Sequence, residues 1–234
     1  MCWQKVVKEL LNKSSKIMSK EEIIEKTVHF VKETLAGAEG GHDWWHIYRV
    51  WSSAKHIAET EEVDGFIVEL GALLHDIADS KFNDGDEEIG PRMAKEFLNS
   101  LGVEKKIVDH VGDMIENISF KGGNHDQTFS SPELDVVQDA DRLDAIGAMG
   151  IARTFSYGGY KDREIYNPNI KPNLDMTKEE YKSNKAPTIN HFYEKLLLLK
   201  DRMKTKTGKA VAEKRHVFME QFLEQFYEEW EGNA

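Results

Sequence analysis

The apolar pair Leu73-Leu74 runs straight into His75-Asp76. An imidazole and a carboxylate beside a core stripe are costly to bury unless paired or bound to a metal ion. Adjacent helical residues point about 100° apart, so both reach one ion only at the rim of a helix. Opposing ligands must then come from other helices. His46, on the preceding helix, is one candidate. Asp141 is the other, within Gln138-Asp139-Ala140-Asp141-Arg142-Leu143-Asp144, where acid groups interrupt an apolar face. Two imidazoles and two carboxylates form a mixed nitrogen and oxygen site suited to Mn²⁺, Fe²⁺, Co²⁺, Ni²⁺ or Zn²⁺. With water in the remaining positions, such an ion activates a nucleophile and polarises a phosphoryl oxygen. A histidine beside an apolar face, taken singly, is more often a hydrogen-bonded core or surface side chain than a ligand. Composition alone leaves both readings open.

Other polar residues carry paired readings. Asp79 shares the face of His75 and Asp76 and could orient a ligand or water, or simply end a helix. Lys81 could meet phosphate or sit solvated. Arg142 suits a phosphate contact or an acid partner, and Asn117 suits a substrate or its own turn. His110, Asp113 and Asn117 share a face, but no partner for a second metal at His110 is evident. His56, His125 and His216 read as surface histidines. Asp144 shares a face with Asp141 and reads as its support, whereas Asp139 points elsewhere, toward solvent. Trp44, Trp45, Tyr48 and Trp51 around one helix read mainly as core, with room for one to stack on a base. Tyr157, Tyr160 and Tyr166, with Lys161 and Arg163, read as a loop that grips a nucleotide or as an ordinary solvated loop.

The elements that must position these residues are helical. Only 5 prolines occur in 234 residues, and apolar residues recur at helical spacing. Ser19 with Glu22 forms a capping-box pattern opening a helix to about Leu35, which Gly37, Gly40 and Gly41 break. Asp43 caps a second helix with Trp44, Ile47, Val50, Trp51 and Ala54 on one face. Asp64 starts a third. A fourth runs to about Leu101 with Gly102 as its stop, and a fifth covers about Glu104 to Ile118. Ser131-Pro132 opens a sixth, with more helix toward Phe155. Residues 157–187 read as a long loop, followed by helices over Thr188 to about Lys204 and Gly208 to about Trp230. The expectation is one all-α domain over residues 1–234, with a metal-site core at about 20–156, the loop, and C-terminal helices at 188–232.

Hydrophobic residues make up 40% of the chain, enough for a substantial core, and the formal net charge is -11. That balance gives no general attraction to nucleic-acid backbones or anionic membranes. An anionic substrate needs local cations or a metal. Cys2 is the only cysteine, which excludes an intramolecular disulfide and a cysteine-based zinc site. No stretch approaches the roughly 20 apolar residues of a membrane span. The first twenty residues lack the apolar run of a signal peptide, so a cytoplasmic location is expected.

The ordered set His46, then His75-Asp76, then Asp141 within Ala-Asp-Arg-Leu resembles the H…HD…D signature of the HD-domain phosphohydrolases. The strings GHDWWHIYRVW, LLHDIADSKF, ENISF, QDADRLDAIGA and HFYEKLL look like one branch of small HD proteins, over most of Lys20 to Trp230. The resemblance implies an all-helical fold and one divalent ion (Mn, Fe, Ni, Co, Mg or Zn) held by His46, His75, Asp76 and Asp141. It selects Asp141 over Asp139 and Asp144 as the ligand. It also implies a small phosphorylated substrate, and in this branch the splitting of nucleoside triphosphates into monophosphate and pyrophosphate. Asp76 or Asp79 would take the proton of the attacking water. Lys81, Asn117, Arg142, His191 and Lys195 are the candidate substrate contacts, the last two from the late motif of the branch. Hydrolysis of a nucleoside monophosphate or cyclic nucleotide, or nucleotide binding without turnover, are the alternatives. A zincin-like protease reading of His42-Asp43-Trp44-Trp45-His46 is disfavoured. Asp43 is one methylene shorter than the required base and stands where a helix cap is expected, and His75-Asp76 would go unexplained.

Overall fold

The computed structural model of the chain describes residues 18–37, 43–78, 88–118, 127–177, 180 and 185–233. Every extended regular element among them is helical. In chain order these are α1 (Lys20–Thr34), α2 (Trp44–Ala58), α3 (Gly65–Leu74), α4 (Ile89–Ser100), α5 (Lys105–Ile118), α6 (Pro132–Asp144), α7 (Gly147–Tyr160), α8 (Asn190–Glu194) and α9 (Lys206–Trp230).

Local chemistry sets most helix starts. The Ser19 and Glu22 capping box is formed, and Asp43, Asp64 and Ser131 each accept a backbone N–H of the first turn. Gly102, with φ 72°, ends the fourth helix region as expected, because the left-handed conformation suits a residue without Cβ. The core centres on α3, which packs against α1, α2, α5 and α6. Leu70, Leu73 and Leu74 are fully buried there, each contributing about 1.5–3 kcal/mol relative to exposure. That burial fixes the end of α3, and with it the place of His75, its C-cap residue.

Several expectations need correction. Residues 157–160 belong to α7 rather than to the long loop. Gly158 survives inside the helix because Thr188 packs onto it; an added Cβ would come 2.2 Å from the threonine hydroxyl. The expected helix from Thr188 to Lys204 is short α8 plus two 3₁₀ turns, Leu196–Leu198 and Lys200–Arg202. Lys195 leaves helical geometry at φ -144° and ψ -57°, and buried Leu196 and Leu199 then follow a repeat of three. Trp45 and Tyr48 are 61% and 45% exposed, outside the core. His216 is buried, with its Nε2 3.2 Å from Glu220, because α9 turns that face onto α6 and α7. Tyr166 packs edge-on against Tyr227 and Trp230 rather than standing in solvent. His125, His42, Asp79 and Lys81 lie outside the described residues. No helix among the described residues is long and apolar enough to cross a membrane.

Asp139 is also the reverse of its solvent-facing expectation. It is fully buried and accepts from Lys204 N at 3.0 Å, Thr205 N at 2.8 Å and Thr205 Oγ1 at 2.8 Å, holding the start of α9 onto α6. Arg142 Nη1 adds an ion pair at 3.2 Å. Asp139→Ala orphans the buried Thr205 N–H and hydroxyl, each worth about 1–3 kcal/mol. A loss of about 3 kcal/mol in denaturant unfolding is expected, and an unchanged midpoint would show that α9 docks without it.

Candidate metal centre

Three helix ends build the site. Asp43 caps α2 by accepting from His46 N at 3.0 Å, which sets the first turn carrying His46. The apolar drive of α3 carries His75 inward, and α6 lies across both helices with Asp141. Ligand atoms of His46, His75 and Asp141 lie within 4.8 Å of one another. The Nε2 atoms of the two imidazoles are 3.3 Å apart, and Asp141 Oδ1 is 3.5 Å from His46 Nε2 and 4.0 Å from that of His75. Both imidazoles are 4% exposed and Asp141 is 41% exposed, so the centre is dry behind and open in front. Asp76, half-buried, is not in this converging set. The rim position that the 100° argument allows for both residues is taken by His75 in this set, with Asp76 next to it in the chain.

Hydrogen bonds decide which nitrogen each ring presents. His75 donates from Nδ1 to the Ala72 carbonyl at 2.8 Å. His46 donates from Nδ1 to Asp144 Oδ2 at 2.7 Å. Both Nδ1 protons are therefore committed, and two Nε2 lone pairs face each other in a buried space beside a carboxylate. Such an arrangement is repulsive without a cation between the groups. Nitrogens held about 2.0–2.1 Å from one ion at about 90–110° are about 2.9–3.4 Å apart, which brackets the observed separation. The donor set therefore fits a divalent ion, and carboxylate or carbonyl partners on the far ring nitrogens are what metal-bound histidines use.

Asp144 is held in turn. Arg49 grips it through Nε at 2.6 Å and Nη2 at 3.0 Å, and Arg153 Nη1 bonds the same carboxylate. Burial alone would raise the Asp144 pKa, but the bonds from His46 and Arg49 and the charge of Arg153 outweigh it, leaving the group well below the usual carboxylate range. Asp144 thus supports the centre, as its spacing suggested. Arg49 and Arg153 went unnoticed in the sequence. Arg49 had a signal, three residues beyond His46 on the same helix face; Arg153 had none.

The remaining candidates are dispersed. Asn117 accepts at Oδ1 from Thr128 N at 3.0 Å and donates to Asp113 O at 2.9 Å, tying the chain before α6. His110 meets Ser131 Oγ at 2.9 Å and Glu133 at 3.5 Å, beside the start of α6. Arg142 faces Asp139, Gln138 and the Arg202 carbonyl. His191 is brought down to about 4 by burial, with the charges of Lys195 and Arg163 adding to it.

The chain matches the HD domain family over residues 44–146, the segment that holds every ligand candidate. It is 38% identical over 204 residues to YpgQ of Bacillus subtilis (strain 168), covering 87% of this chain and 91% of that protein. A solved HD-superfamily hydrolase from Bacillus thuringiensis superposes with TM-score 0.74 at 46% identity, over 91% of this chain and 99% of that one. The structure of Bacillus subtilis YpgQ in complex with ADP gives TM-score 0.72 at 35% identity, over 91% and 97%.

Two predictions follow from the geometry of the rings. Asp144→Asn keeps the shape but weakens acceptance from His46, so metal affinity falls about 10–100-fold with helix content intact; undiminished affinity in a metal titration would refute the supporting role. Burial holds the His75 pKa below the ordinary 6.5, against the opposing pull of Asp141 and Asp76. The unfolded metal-free chain therefore takes up this proton at about its ordinary value, before the folded chain does. Stability contributed by the neutral ring is present above 6.5 and declines as pH falls below it. Denaturant midpoints measured down the acid range should show that slope, reduced in His75→Gln.

Proposed function

The chain belongs to the HD-domain family, and from that premise we propose that it is a metal-dependent phosphohydrolase acting on a nucleotide, with a nucleoside triphosphate cut to monophosphate and pyrophosphate. The observation that carries this reading is the pair of buried, mutually facing Nε2 atoms beside Asp141. The ADP complex of its relative YpgQ supports a nucleotide as the ligand class.

In this reading His46, His75 and Asp141 hold the ion, which supplies Lewis acidity to a phosphoryl oxygen and acidifies a water. The chain provides the rest. His46 and His75 turn Nε2 toward the ion because their Nδ1 atoms are held by Asp144 and the Ala72 carbonyl. The apolar wall behind them excludes water from that side, while Asp141 keeps the front open to a ligand. Asp76 borders His75 without joining the converging atoms, which favours it as acceptor of the proton from the attacking water. The alternative assignment, as fourth ligand, is decided by the same variant. Asp79 and Lys81 extend the proposed machinery beyond the described residues, and His191 and Lys195 stand for the substrate side.

The test is a panel of nucleoside mono-, di- and triphosphates with Mn²⁺, Co²⁺, Ni²⁺, Mg²⁺ and Zn²⁺, with pyrophosphate resolved from orthophosphate. Pyrophosphate and a monophosphate are the expected products, and orthophosphate alone would overturn the bond assignment. His75→Ala should lose both metal and turnover. Asp76→Ala with metal retained and turnover reduced at least about 100-fold identifies the proton acceptor, whereas loss of the metal identifies a ligand.

A further inference from the structure

One face of α7 leads from Asp144, which holds His46, outward to a cluster of exposed rings and cations. Arg153 stands at the inner end, bonded to Asp144. Tyr157 and Tyr160 follow on the same face, about 6 Å and 10.5 Å along the helix axis from Arg153. Their rings are 45% and 66% exposed and lie 6.4 Å apart at a 39° tilt. Lys161 Nζ sits 4.9 Å from the Tyr160 ring centre and 5.7 Å from that of Tyr157, and the Arg163 guanidinium is 5.6 Å over Tyr157. The pairing of backbone at Thr188 and Ile189 with Glu164 and Ile165 brings α8, and so His191 and Lys195, against this end. His191 stays uncharged in neutral solution because burial and the neighbouring Lys195 and Arg163 oppose its proton.

Exposed rings flanked by cations are the combination that proteins use to hold nucleotides: the ring face stacks on a base and the cations neutralise phosphate. Lys161 and Arg163 alternate with the exposed Asp162 and Glu164, so the segment carries no net charge and its cations are singled out by their places over the tyrosine rings. The inner end of the face is linked to the centre through Asp144, which holds His46 Nδ1 on the side of the ring away from the Nε2 atoms.

We propose that the α7 face is the nucleoside-recognition platform, with the base stacked on the Tyr157–Tyr160 pair and Lys161 and Arg163 facing the sugar-phosphate. This rests on the phosphohydrolase reading for the placement of the phosphates, and it adds that recognition is by stacking. A ring face accepts any base, so the platform selects nucleotides as a class and discriminates weakly among bases.

The experiment measures equilibrium binding to the Mn²⁺-loaded protein and needs no turnover. Tyr157→Ala/Tyr160→Ala is compared with the unmodified chain for Mn²⁺–ADP and for inorganic pyrophosphate, with thermal unfolding confirming the fold; both rings are exposed, so the double variant should fold. ADP affinity is expected to fall about 5- to 150-fold, the effect of losing a stacked base, with pyrophosphate affinity unchanged. Lys161→Ala is expected to weaken both ligands. An ADP affinity that does not move, or an equal loss for ADP and pyrophosphate, overturns the platform. So does a selective loss of ADP in Trp45→Ala alone, which would put the base on α2. Selective loss of ADP in a protein that hydrolyses no nucleotide sustains the platform and defeats the hydrolase reading; turnover unaffected by the tyrosine changes does the opposite.

Discussion

Two imidazole lone pairs aimed at each other across 3.3 Å, in a space closed to solvent from behind, impose the requirement that organises this molecule. Neutral rings in that pose need their outer protons engaged, and they need positive charge in front. The first need is met from inside: the Ala72 carbonyl holds one ring and Asp144 the other. Asp144 is itself a buried anion, and isolating a carboxylate from water costs several kcal/mol even after relaxation. Two arginines from different helices offset that cost, so the bond that orients His46 also pins α2 and α7 to α6. Such a knot adds little net stability but punishes the loss of any member, which favours one arrangement over its neighbours.

Helix α6 is the hub because its acids leave in three directions. Asp141 faces the open front of the centre, Asp144 faces the arginines, and Asp139 turns back to hold the start of α9. The same helix buries Val136, Val137, Ala140 and Leu143 against the core. Its apolar contacts supply the driving force, and its carboxylates set the angles at which neighbouring helices dock. Arg215 of α9 bonds the Leu143 carbonyl and lies on Gly147, whose φ of 74° turns the chain from α6 into α7. The last helix thereby fixes the direction of the face that carries Arg153.

Charge is distributed to the same end. A net acidic chain repels polyanions at long range, and within a Debye length local charge decides. The cations that matter are few and tied down: Arg49 and Arg153 by Asp144, Lys161 and Arg163 by tyrosine rings. Fixing them in advance lowers the ordering cost of any ligand that meets them. Asp141, 41% exposed, is the member of the converging set open to solvent.

Much of this was legible in the residues alone, because the determinants are local. Helix caps at Ser19, Asp43, Asp64 and Ser131 depend on side chains two or three residues from the backbone they satisfy, and the apolar stripe of α3 follows from period alone. An imidazole ending that stripe had to be paid for by something, and the ordered acids and histidines said what. Other features depended on partners distant in sequence. Asp139 looked solvent-facing until Lys204, 65 residues later, and the Thr205 cap of α9 came to bury it. His216 looked exposed until its helix lay against α6 and α7. Gly158 and Gly159 read as a loop because nothing local reveals that Thr188 needs the space of a missing Cβ. Arg153 had no signature at all, since its role exists only where α7 crosses Asp144, 9 residues earlier in the chain but across a reversal at Gly147. Short-range hydrogen bonding and hydrophobic period are written in sequence; the choice of which buried charge meets which is made by packing, because only packing sets the distance on which an ion pair depends.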